Sequence, residues 1–175
     1  MKKGVKVVFS VVLGVVAIMG LLFVIQKDMH IEAEVEIAKE PKEVFAYIKD
    51  LKNQDNFSVW MQIDPDMLKS YEGEDGTVGF ISRWESNMNN VGVGEQEITA
   101  IRENEYIDYE LRFVEPFESV SQARMYVEPD EDGTEVKWTF DGEAPVFMIW
   151  FMDMEGDLEN DLQTGLNNLK GVLED

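Results

Sequence analysis

The chain has 175 residues, of which 45% are apolar, and a net charge of −21. It is long enough to bury one ordinary core, too apolar for disorder, and too acidic to draw a phosphate backbone or an anionic headgroup to its surface. Cysteine is absent, which excludes disulfide frameworks and thiolate chemistry.

The first element is the apolar run "VKVVFSVVLGVVAIMGLLFVI", residues 5–25, with one charge, Lys6, at its edge. A bilayer core takes about 20 apolar helical residues, so the run is expected to be a membrane anchor, 1–27, ahead of a domain at 28–175. A cleaved signal peptide is the competing reading. Its apolar region is shorter and ends on small residues, which "GLLFVIQKD" does not offer. Lys2, Lys3 and Lys6 precede the run and acid-rich "DMHIEAEVEIAKE" follows it. The positive-inside rule then places the N-terminus in the cytoplasm and the domain outside it.

"MHIEAEVEI" (29–37) alternates, with Met29, Ile31, Ala33, Val35 and Ile37 on one face, as a half-buried strand does. "KEPKEVFAYIKDL" follows, with Pro41 suited to a first turn and Val44, Phe45, Ile48 and Leu51 at helical spacing. "KNQDNFSVW" reads as a second short helix or turn. Strand-like segments then come with turn signals between them. "TVGFISRWES" puts Val78, Phe80 and Trp84 on one face, "NEYIDYELRFVEP" puts Ile107, Tyr109, Leu111 and Phe113 together, and "TEVKWTFDG" does so for Val136, Trp138 and Phe140. "EQEITAI" is a strand of unassigned inward face, and "SVSQARMYVEP" a less regular one. From Phe147 to Leu173 apolar residues recur in steps of 3 and 4, which predicts a long amphipathic helix. One strand, two short helices, about six hairpin-joined strands and a terminal helix make an α+β fold with its helices on one face of an antiparallel sheet.

The motifs "VW", "DPDM", "GEDGTVGFISRWESN", "VGVGEQEIT", "YIDYELRFVEPFES" and "FMDMEGDLENDLQTGLNNLKGVLE", in this order, resemble the bacterial polyketide cyclase/dehydrase-like branch of the SRPBCC, or START-like, superfamily. The resemblance covers roughly residues 29–174 and leaves the apolar run outside. It implies a helix-grip fold, in which about seven strands curve around the C-terminal helix. It also implies an apolar tunnel between the two for lipids, polyketides or other hydrophobic molecules, with Phe147, Phe151 and Met154 near its mouth.

Eight large side chains are the candidate ligand-binding residues: Trp60, Phe80, Trp84, Tyr109, Phe113, Trp138, Phe147 and Phe151. Apolar pockets carry a few polar groups, and Tyr and Trp supply both in one side chain. The competing reading of each is plain core. No catalytic residue is assigned. The sole histidine, His30, lies on the polar face of the first strand, and no cysteine exists to pair with it. Arg83, Glu95, Glu97 and Tyr109 are the acid/base groups that a cyclase-like enzyme, the alternative function, could draw on. The acidic runs at 64–66, 130–132 and 153–161 match no calcium loop, so neither metal nor cofactor is expected. A docking module for a basic partner is a further alternative. The sequence thus points to a membrane-anchored domain that binds a hydrophobic small molecule or lipid, without nucleic acid.

Overall fold

A computed structural model describes residues 2–88 and 90–175, with side chains described from residue 8 onward. Helix α1 (Lys2–Val24) leads after one residue, Ile25, into strand β1 (Gln26–Ile37). The chain continues through α2 (Pro41–Lys49), a 3₁₀ turn (Leu51–Asn56) and α3 (Val59–Ile63). Six more strands follow: β2 (Leu68–Glu72), β3 (Ile81–Glu85), β4 (Val93–Arg102), β5 (Tyr106–Glu115), β6 (Ser119–Asp130) and β7 (Gly133–Pro145). Two helices close the chain, α4 (Val146–Phe151) and α5 (Met154–Glu174). All neighbouring strands are antiparallel, in the order β1-β7-β6-β5-β4-β3-β2.

The alternation read from the sequence decides what each strand buries. Met29, Ile31, Ala33 and Ile37 of β1 are buried, with His30, Glu32, Glu34 and Glu36 exposed. Tyr109 and Ile107 of β5, Met125 and Val127 of β6, and Val136 and Trp138 of β7 face the same side. They meet Leu162, Leu166 and Leu169 of α5 and Val44, Phe45 and Ile48 of α2 in one core. Polar contacts fix α5 lengthwise. Gln163 Nε2 donates to the Glu34 carbonyl at 3.0 Å and Asn168 Nδ2 to the Phe57 carbonyl at 3.1 Å. Gly165 lets the helix close on the sheet, because a Cβ there would lie 3.1 Å from Trp138 Cζ3.

Two expectations need correction, and a third finds no support among the described residues. Val78 lies outside β3 and is exposed, while Phe80 just before the strand is buried. The terminal helix is two helices, separated at Met152 and Asp153, where Asp153 adopts the left-handed conformation (φ 51°). A short polar residue tolerates that region. The break turns Trp150 and Phe151 out to solvent instead of onto the core. The expected membrane span coincides with α1, yet among the described residues no helix is long and apolar enough to cross a membrane. The described side chains of α1 run from 8 to 24, and Lys2, Lys3 and Lys6 lie outside them.

The inward face of β4, open in the sequence, carries Gly94, Gln96 and Ile98. A register shift between Ile98 and Ala100 then changes the phase of the strand.

Candidate functional site

The sheet splits at one end. β6 and β7 pair only from Gln122 opposite Asp141 onward. Beyond that point β7 stays with β1 as far as Gln26 opposite Pro145, and β6 stays with β5 as far as Phe113 opposite Ser119. Gly142 stands at the fork, where a Cβ would lie 2.6 Å from Ser121 Oγ. A glycine inside a strand commonly marks such a bend.

The fork opens into a groove of about 1210 Å³. Its apolar lining is Met29 from β1, Val114 from β5, Pro116, Phe117 and Val120 around the β5–β6 connection, Pro145 of β7, Met148 of α4 and Phe23 of α1. Asp28, Glu118, Asp141 and Glu143 line it as well. Asp141 is engaged by His30, whose Nδ1 lies 2.6 Å from Asp141 Oδ1. That hydrogen bond, with the charges of Asp141 and Glu32, holds the imidazole pKa above its ordinary value. A raised histidine pKa contributes stability below the unfolded value near 6.5, and the contribution disappears as pH rises through the folded one. The pair is well exposed, so the contribution is small.

None of the eight candidate residues lines the groove; seven of them fall into four groups, and Tyr109 stands by itself. Trp138 sits at the core centre, edge-on to Phe57 (5.9 Å) and Trp60 (6.2 Å between centroids). Phe80 stacks on Tyr71 at 6.0 Å and is buried. Trp84 and Phe113 meet edge-to-face at 5.9 Å in a satellite cluster with Met67 and Val91. Trp84 Nε1 donates to the Val91 carbonyl at 3.3 Å. Phe147 and Phe151 stack at 5.3 Å, and Phe147 in turn stacks on Phe23 of α1 at 4.2 Å. Phe147 adjoins the groove through Phe23, and Phe113 through Ser119, its partner across the strands.

Tyr109 is fully buried between the sheet and the helices, with Phe45, Phe57, Phe80, Met125, Leu162, Leu166 and Leu169 equally enclosed around the core. Burial pushes the Tyr109 phenol well above its ordinary pKa. Its hydroxyl and Gln54 Nε2 are buried without a hydrogen-bond partner among the described residues. Gln54 lies beside the phenol, but no hydrogen bond of ordinary geometry joins the two. The other acid/base candidates, Arg83, Glu95 and Glu97, belong to an ion network on the outer face of the sheet, away from the groove. No group of three or more His, Asp or Glu able to hold a metal occurs among the described residues.

Sequence reasoning missed the groove residues because they come from three separate stretches of the chain, 23–29, 114–120 and 141–148. A local signal exists in "RFVEPFESV". Val114, Phe117 and Val120 break the rule that outward positions are polar, and all three are exposed.

A seven-stranded antiparallel sheet wrapped on a C-terminal helix, with an apolar opening at its end, defines a helix-grip, SRPBCC-type domain. Solved structures agree on the fold. MLL2253 of Mesorhizobium loti aligns with a TM-score of 0.63 at 15% identity over 83% of this chain and 97% of its own. CV1439 of Chromobacterium violaceum aligns at 0.61 and 14% identity over 83% and 97%. Ara h 8.0201 aligns at 0.59 and 14% identity over 85% and 99%. The family described as "Polyketide cyclase / dehydrase and lipid transport" matches residues 28–174, and the chain belongs to it, in the polyketide cyclase/dehydrase-like branch of SRPBCC. No curated protein matches the sequence.

Proposed function

We propose that this protein is a single-pass, membrane-anchored START-like domain that binds a hydrophobic small molecule or lipid. The ligand enters the groove at the fork of the sheet, toward the space between sheet and C-terminal helices. One observation carries the reading: the groove is lined mostly by apolar side chains, and Phe23 of the apolar N-terminal helix forms part of its wall. A pocket of this kind fits a ligand that shuns water. The full run at 5–25 supplies the length that a bilayer core takes, and Lys2, Lys3 and Lys6 favour a cytoplasmic N-terminus with the domain on the opposite side.

The test is native mass spectrometry of the complete chain released from detergent, with extraction of whatever co-purifies. A bound hydrophobic molecule is expected in the wild type. Ser119→Trp, which adds an indole to the groove wall, is expected to lower its occupancy by roughly tenfold, the factor that about 1.4 kcal/mol produces. The thermal midpoint should stay the same, because Ser119 is only half-buried at the start of its strand. A wild type free of any hydrophobic molecule, or full occupancy in Ser119→Trp, would remove the groove as the site.

A further inference from the structure

The end of the domain that carries the groove also carries an apolar collar. Trp150, Phe151 and Met152 at the end of α4 are 66%, 63% and 56% exposed. Across the groove Phe117 is 64% exposed, with Val114 and Val120 beside it. Large apolar side chains gathered at one end of a soluble domain usually mark something that covers them.

Geometry limits what the cover can be. α1 and β1 are separated by Ile25 alone, so no flexible linker lets the helix swing clear. The Val146 amide donates to the Ile25 carbonyl at 2.9 Å, tying the start of α4 to the end of α1. A ladder of rings continues the tie, from Phe23 to Phe147 to Phe151. On α1 the large apolar side chains Val8, Phe9, Val11, Val12, Leu13, Val15, Val16, Ile18, Met19, Leu21, Phe23 and Val24 are all exposed. An apolar phase that covers them up to Val24 comes up against α4, which stacks on Phe23, and the groove wall that Phe23 shares with Phe117. The collar has the chemistry of an interfacial patch: a tryptophan, two phenylalanines and a methionine. The acidity of the rest of the domain excludes attraction to anionic headgroups as the driving force.

We infer that the domain does not hang free of its anchor but docks on the bilayer through the collar, with Trp150, Phe151 and Phe117 in the headgroup–acyl boundary and the groove mouth open to the membrane. This rests on the anchoring of α1 proposed above. It adds a second membrane contact and a route by which a ligand passes sideways from the bilayer into the groove without crossing water.

Trp150 is its own probe, because Trp84 and Trp138 are buried and Trp60 is half-buried. The complete chain is placed in phosphatidylcholine vesicles brominated at acyl carbons 6 and 7, and the Trp150 signal is taken as the difference from Trp150→Phe. With rings roughly 5–10 Å into the boundary, the brominated lipid should remove more than about half of that signal and aqueous iodide almost none. A paired Phe117→Ser and Phe151→Ser variant should raise iodide access severalfold at an unchanged urea midpoint. A chain that floats with the vesicles while Trp150 is quenched by iodide and not by bromine overturns the docking and leaves the anchoring intact. A chain that fails to float overturns both. A Trp150 shielded from both quenchers points to a second copy over the collar, and equally overturns the inference.

Discussion

Replacing Trp138 with alanine should destabilise the protein by about 3–5 kcal/mol, the usual range for a large aromatic lost from a packed core. Its indole is buried, stands in register between Ala33 on β1 and Met125 on β6, and meets Phe57 and Trp60 edge-on. Gly165 brings α5 so near that the helix has little room left to follow the indole into the space it vacates. The cost is therefore transfer free energy plus a cavity that does not collapse. Urea unfolding of the complete chain in nonionic detergent, followed by far-ultraviolet circular dichroism, measures it, and Trp138→Phe should recover more than half. The same variant separates core from binding wall. A Trp138→Ala protein as stable as the wild type but unable to retain a hydrophobic ligand would move the site from the forked end into the middle of the domain.

That distinction was out of reach of the sequence, for a physical reason. Alternation and helical spacing report which side chains leave water, not whether they leave it for one another or for a guest. They therefore placed Phe80, Tyr109 and Trp138 on the inward face correctly, and could not separate a filled interior from a tunnel. The strands with strict alternation, β1 and β5, were legible residue by residue. β4 was not, because Gln96 is buried between outward Glu95 and Glu97 and a bulge then changes the phase. The break at Asp153 was invisible because a single left-handed residue barely disturbs a count of threes and fours. Yet it decides that Trp150 and Phe151 face outward. The groove is a place where two strands stop pairing, and no periodicity encodes a missing ladder. Its traces in the sequence are Gly142 inside a strand and the apolar outward residues Val114, Phe117 and Val120.

The outer face of the sheet supports a prediction of opposite character, in which pH reverses the sign of an effect. Arg112 on β5 donates to Glu95 at 2.6 Å, Glu97 at 2.8 Å and Glu110 at 2.5 Å. Arg83 adds contacts to Glu95 at 2.7 Å and Glu72 at 2.9 Å. Glu97 and Glu110 stand directly opposite each other on neighbouring strands, an arrangement that repels unless a cation lies between them. Arg112 is that cation, and with Arg83 it holds the Glu95 carboxyl below the ordinary carboxylate range; the Glu110 carboxyl is lowered by Arg112 and Gln122. A depressed carboxylate contributes stability above its unfolded value of 4.5, and that contribution is lost as pH falls through the folded value. The wild type should therefore weaken in acid below about pH 4.5. Arg112→Leu removes the cation and keeps the carboxylates crowded at the edge of water. At neutral pH the variant should lose about 1–3 kcal/mol, less than for a fully buried pair because every member keeps a quarter or more of its exposure. High salt should restore part of the loss. Glu97 and Glu110 then face each other with no cation between them, so protonating one of the pair favours the folded state. Between about pH 7 and pH 5 the urea midpoint of Arg112→Leu should then rise as that of the wild type stays level. Parallel profiles for the two proteins over that interval would mean that the three carboxylates around Arg112 reach water independently, and that Arg112 merely decorates the sheet.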